Sequence, residues 1–276
     1  YMLIYFFMQS ALNRNNRHSA DANDGLYCIE NSYLNVVIAS KGAELQSIIH
    51  KDFGIEYMWS GDPEFWGKKS PVLFPIVGGL KQNNYRFNGN TYHLSRHGFA
   101  RDNVFSVTAQ TEEAITFSLV SDASALKQYP FHFRFSIRYT LSENRLHVTY
   151  LVENTGVEKM LFSVGGHPAF KVPLTDNTNF EDYYLLFDAK ENAGRWPLSA
   201  EGMIESFTTP VLNDTDKLPL KKSLFYEDAF VFKNLASRSI SILCHTTRHG
   251  VKVSFDGFPY MGIWNAKDAD FVCIEP

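Results

Sequence analysis

Period-two alternation of apolar residues recurs along this chain and limits its fold more than any other feature. Ala114-Ile-Thr-Phe-Ser-Leu-Val120, Phe133-Arg-Phe-Ser-Ile-Arg-Tyr-Thr-Leu141 and Arg145-Leu-His-Val-Thr-Tyr-Leu-Val152 place an apolar side chain at every second position. An extended strand with one buried face converts that spacing into a continuous apolar surface, which a helix cannot do. Further strand-like segments run over Tyr27–Asn31, Leu34–Ala39, Lys41–His50, Asp182–Phe187, Phe230–Phe232, Ser239–Leu243, Val251–Phe255 and Met261–Trp264, and a turn at Glu153–Gly156 leads into Met160–Val164. Asn88-Gly89 between Tyr85–Asn88 and Thr91–Leu94 predicts a tight hairpin, because both turn residues tolerate positive φ. Short helices are expected only at Pro63–Trp66 and Asp122–Gln128. So many strands with regular turn signals predict an all-β fold, a large antiparallel β-sandwich or barrel, as one domain over 25–276.

Residues 1–24 read differently. Tyr1-Met-Leu-Ile-Tyr-Phe-Phe-Met8 is an apolar run too short to span a bilayer, and polar linker material follows it. The segment has no alternation, so it is expected to be an N-terminal appendage outside the fold. No other stretch suits a membrane. The net charge of −4 and the absence of any basic run longer than two residues exclude a nucleic-acid surface. Three widely spaced cysteines, Cys28, Cys244 and Cys273, fit neither a disulfide framework nor a Cys-rich zinc site. They are expected to be buried free thiols of a cytoplasmic protein, with Cys273 a small core residue in a strand.

The chemistry sits at the glycine- and proline-flanked loops. Ser95-Arg-His97-Gly-Phe-Ala-Arg101 and Gly165-Gly-His167-Pro-Ala-Phe170 each present a histidine, and Phe271-Val-Cys-Ile-Glu275-Pro276 presents a carboxylate. Two imidazoles and a carboxylate equip a site to move protons near neutral pH. Two histidines seventy residues apart lack the His-x-His pair of a metal triad, and there is no Gly-x-Ser-x-Gly nucleophile. Acid–base catalysis fits these loops best, with no metal or cofactor expected.

Ser70-Pro-Val-Leu-Phe-Pro-Ile-Val-Gly-Gly-Leu-Lys81, then Tyr85, Asn88-Gly89 and His97-Gly-Phe-Ala-Arg-Asp102, resemble the aldose 1-epimerase (galactose mutarotase) superfamily, its short bacterial branch most of all. Gly166-His-Pro-Ala-Phe170, Asp228-Ala-Phe-Val-Phe232, Phe258-Pro-Tyr-Met-Gly-Ile-Trp264 and Cys273-Ile-Glu-Pro276 continue the likeness in the right order. The resemblance implies a sugar substrate in a cleft across one sheet of the sandwich. Glu275 would take the proton of the anomeric hydroxyl and His167, on the opposite side of a space one pyranose wide, would protonate the ring oxygen, with His97 hydrogen-bonding near that oxygen. Asp228 would hold hydroxyls, Trp264 would stack on the pyranose, and Arg101 and Lys81 would supply positive charge.

Two departures accompany the resemblance. Gly79 stands where many relatives carry arginine, and relatives continue past Pro276 with an aromatic residue and a further strand, so the domain reads as cut short there. The alternatives to an aldose 1-epimerase are a hexose-6-phosphate mutarotase, which needs a cationic pocket, and a non-catalytic sugar-binding or sensing protein of the same fold.

Overall fold

The structure, a computed structural model, describes residues 2–7 and 25–276. In chain order the strands are β1 (Met2–Phe7), β2 (Leu26–Glu30), β3 (Leu34–Ala39), β4 (Glu44–His50), β5 (Ile55–Glu56), β6 (Val72–Leu73) and β7 (Asn84–Phe87). Next come β8 (Asn90–His93), β9 (Ser106–Gln110), β10 (Ala114–Val120), β11 (Phe133–Ser142), β12 (Arg145–Asn154), β13 (Gly165–Gly166) and β14 (Ala169–Lys171). The last are β15 (Tyr183–Arg195), β16 (Thr209–Pro219), β17 (Phe230–Lys233), β18 (Ser239–Cys244), β19 (Gly250–Ser254), β20 (Tyr260–Trp264) and β21 (Phe271–Glu275). Asp122 caps one short helix, α1 (Ala123–Gln128), by accepting a hydrogen bond from the Ala125 amide. Pro63–Trp66 forms a turn and no helix, and Met160–Val164 is irregular.

A nine-stranded antiparallel sheet runs in the order β16-β15-β18-β19-β1-β12-β11-β10-β9. Two four-stranded sheets, β14-β21-β20-β17 and β2-β3-β4-β5, accompany it with the pairs β13-β6 and β7-β8. The alternation acts as its spacing requires: Phe133, Phe135, Ile137, Tyr139 and Leu141 of β11 are all buried, whereas Arg134 and Arg138 are exposed. They join one core with Val36 and Leu45 of the β2–β5 sheet and with Phe232 and Ile263 of the β14–β21–β20–β17 sheet. This is the antiparallel sandwich expected from the strand pattern. Asn88 and Gly89 both have positive φ and close the β7–β8 hairpin.

The expectation for residues 1–24 needs correction. Met2–Phe7 pairs with β12 on one side and β19 on the other, so it is an inner strand of the large sheet. Met2 and Ile4 are fully buried. A run of this length that is apolar at every position carries no alternation to read, so the strand escapes a search by period. The remainder of the predicted appendage, 8–24, lies outside the described residues. No described helix is long and apolar enough to cross a membrane. Cys244 and Cys273 are buried free thiols, and Cys28 is a half-buried one.

Candidate active site

Glu275 ends β21, and its partner across the ladder is Gly262 of β20. A Cβ at position 262 would lie 3.2 Å from the Glu275 Oε2, so glycine provides the room that the carboxylate occupies. His167 sits between β13 and β14. Its loop is stitched to the end of β21, since the Gly166 amide donates to the Pro276 carbonyl at 3.0 Å and Ala169 lies in register with Cys273. His167 Nε2 and Glu275 Oε2 are thereby brought to 3.4 Å.

His97 comes from the loop between β8 and β9. Gly98 has φ +70, and a Cβ there would fall 2.2 Å from the Phe74 carbonyl oxygen, so only glycine lets the two backbones meet. The Phe99 and Ala100 amides donate to that same carbonyl and pin the loop. The Gly78 amide donates to His97 Nδ1 at 3.1 Å, which makes Nδ1 the acceptor and leaves the proton of the neutral ring on Nε2. The rings of His97 and His167 are 6.2 Å apart.

A cleft of about 1250 Å³ gathers these groups. His97, His167, Asp228, Glu275, Arg101 and Trp264 all line it, as does Gly79. Trp264 stands edge-on to His167, with centroids 5.6 Å apart. Arg101 is held by its guanidinium donating to the Arg96 carbonyl at 2.9 Å. Asp228 has φ 76 in the turn before β17 and accepts from the Ala229 amide. Lys81 is the exception. It opens a short 3-10 turn whose next two residues, Gln82 and Asn83, adopt positive φ, and this turns the segment outward and leaves Lys81 exposed, away from the cleft lining.

Two features correct or extend the reading of the sequence. Glu275 and His167 were expected to act from either side of a sugar, but they touch each other. That is the better geometry for two groups that address oxygens bonded to one carbon. Arg96 and Trp66 also line the cleft and were not foreseen. Trp66 stacks on the His167 ring at 4.9 Å and 26°, and fixes its plane. Arg96 adjoins His97 in the loop already singled out, which was the available signal; nothing in the sequence connects Trp66 with residue 167.

The electrostatics set the two groups far apart. Burial raises the Glu275 carboxyl to about 8, opposed by Arg96 and reinforced by Asp228. Burial lowers His167 to about 3, with help from His97, Arg101 and Arg96. His97 is likewise lowered to about 3, by burial and then by Arg96 and Arg101. Near neutrality the Glu275–His167 pair holds a single proton between two atoms in contact.

Comparison with known proteins places this geometry in a family. The chain is 34% identical to Protein LacX (chromosomal) of Lactococcus lactis subsp. lactis over 257 residues, 90% of this chain and 86% of that protein. A galactose mutarotase related enzyme from Lactobacillus acidophilus superimposes with a TM-score of 0.86 at 38% identity, over 91% of this chain and 84% of the other. A galactose mutarotase-like protein from Lactobacillus casei gives 0.82 at 33% identity, over 91% and 87%. The profile of the family described as aldose 1-epimerase matches residues 25–276, nearly everything beyond the first strand and its connection. That family supports an isomerase of the mutarotase type. From Gly25 to Pro276, in sequence and in fold, the chain belongs to the aldose 1-epimerase family.

Proposed function

We propose that this protein interconverts the α and β anomers of an aldohexose by acid–base ring opening and reclosure. One observation carries the reading: a buried carboxyl and a buried imidazole meet at 3.4 Å in the lining of a cleft large enough for a sugar. Ring opening moves one proton from the anomeric hydroxyl to the ring oxygen, with no change of oxidation state. Two side chains that together carry one proton suffice for that, and no cofactor is invoked. The proton of the pair passes from Glu275 to His167, and Glu275 then accepts the hydroxyl proton as His167 delivers one to the ring oxygen. The aldehyde rotates about C1–C2, and the same steps in reverse close either anomer.

His97 supports the step as a donor, since its Nε2–H is free to meet the developing charge on the ring oxygen. Asp228 accepts from hydroxyls, and Trp264 offers an aromatic face. Polarimetry on freshly dissolved α-glucose and α-galactose tests the reading: mutarotation should outpace the spontaneous rate and saturate with sugar. Saturable binding without acceleration would make the protein a sugar sensor instead.

A second reading concerns substrate charge. Arg96 and Arg101 both line the cleft, and the Nε of Arg101 is buried without a hydrogen-bond partner. Two guanidinium groups favour an anionic sugar, such as a hexose 6-phosphate. Comparing kcat/KM for a hexose and its 6-phosphate separates the readings.

A further inference from the structure

We propose that His167, Cys273 and Glu275 form a binding site for one thiophilic divalent cation of the zinc type, open to the cleft. One potential ligand atom from each residue lies within 4.8 Å of the other two. The cause is local: Cys273 and Glu275 are two apart on β21 and share a face, and His167 reaches over from the loop that enters β14.

The nitrogen–oxygen distance suits such an ion. Zinc held tetrahedrally at about 2.0–2.1 Å from nitrogen and 2.0–2.2 Å from oxygen has an N···O edge of roughly 3.4 Å. The Nε2···Oε2 separation is 3.4 Å. The polar groups here are also under-used: His167 is 8% exposed and its Nδ1 has no partner, and Glu275 Oε1 is buried without one.

Charge argues the same way. On binding, the cysteine S–H bond breaks, its proton leaves to solvent, and a sulfur–metal bond forms; a protonated Glu275 releases its proton likewise. A thiolate, a carboxylate, a neutral imidazole and a divalent cation then sum to zero. That neutrality matters because Cys273 packs with Trp59, Ala269 and Phe271, which cannot solvate a net charge. The fourth position faces the cleft and takes water. Magnesium and calcium are excluded, since they require oxygen-rich sets and a single carboxylate is offered. An inhibitory effect follows if Glu275 and His167 move the protons of the sugar, and that clause alone rests on the proposed function.

Cobalt(II) added to the full-length protein with a phosphine reductant tests the site directly. One equivalent should bind with a near-ultraviolet cobalt–thiolate charge-transfer band, and zinc should displace it. Cys273→Ser and Cys273→Ala should abolish the band. His167→Asn, which keeps the thiol, should weaken cobalt binding by about tenfold or more. Should both Cys273 variants fail to fold, the His167→Asn titration decides. No band in the wild type, a band that survives loss of Cys273, or unchanged affinity in His167→Asn overturns the proposal. With turnover as the readout, zinc should inhibit competitively with sugar, and Cys273→Ser should be about tenfold or more less sensitive. A protein that binds cobalt as described but fails to accelerate mutarotation retains the metal site and loses only the proposed function.

Discussion

At the scale of single residues, the proton shared by Glu275 and His167 governs both turnover and stability. The pair holds one proton between about 3 and about 8, so kcat/KM should be flat through neutrality and fall as pH rises past about 8, where the acid is lost. A rate that instead climbs through that region would assign all the work to ionised Glu275. Glu275→Gln should lower turnover by about 10²–10⁴-fold with sugar binding retained. The same variant carries a stability signature. An unfolded glutamate titrates at its ordinary 4.5, whereas the folded one holds its proton up to about 8. Across that window the folded chain binds more protons, so wild-type stability falls as pH rises. Glutamine escapes that loss, and the melting temperature of the variant should exceed that of the wild type at pH 9 and match it near pH 4.5. Each kcal/mol is worth about 2–4 °C in a chain of this size. Gly79→Arg tests the charge preference. Gly79 lines the cleft without positive φ, and a Cβ there meets only ordinary contacts, 3.6 Å from the Glu201 carbonyl oxygen. A third guanidinium should tighten binding of a hexose 6-phosphate by about tenfold or more, from a charge-assisted hydrogen bond of about 1.5–3 kcal/mol. Calorimetric titration measures it, and an unchanged Kd would show that the added charge fails to reach the ligand.

Single strands and turns place those residues. The β7–β8 hairpin was legible because its turn residues carry their own conformational preferences, and Asn88 and Gly89 both adopt positive φ. Strand β1 was not legible, because Met2–Phe7 is apolar throughout and lacks a period. Strand β16 was missed for the opposite reason: Thr209–Pro219 is mostly polar and exposed, at one edge of the large sheet. Removing β1 tests its place in the large sheet. Deleting residues 1–7 should leave β12 and β19 each without a partner on one side, expose the face that Met2 and Ile4 cover, and lower the melting temperature markedly. The site should suffer too, since Met2 reaches within 3.6 Å of where a Cβ on Gly166 would stand, beside His167. Differential scanning calorimetry of the deletion checks the point, and an unchanged transition would return the segment to appendage status.

On the scale of the whole molecule, the cleft exists because distant segments are held by three kinds of contact. A ladder brings Gly262 to Glu275, a glycine lets Gly98 meet Phe74, and a loop hydrogen bond ties Gly166 to Pro276. The chemical types of His97, His167 and Glu275 were readable from the loops that bear them, and Asp228 was named from the family resemblance alone. Their mutual distances were not readable, because convergence across the fold leaves no trace in local spacing. The stacking of Trp66 on His167 and the nearness of Cys273 to both catalytic candidates belong to that unreadable part. The placement of β1 has a further consequence for how the chain reaches this state. Ile4 pairs with Leu146 on one side and with Val253 on the other. During synthesis β1 leaves the ribosome before either neighbour, and at least one of its edges waits unpaired until β19 has been made. Such non-local pairing is slow, and an unfilled slot between β12 and β19 presents two raw strand edges. The ribosome-bound chain is thus at its most adhesive just before β19 emerges, and a β1 from a neighbouring nascent chain is a competitor for the same slot.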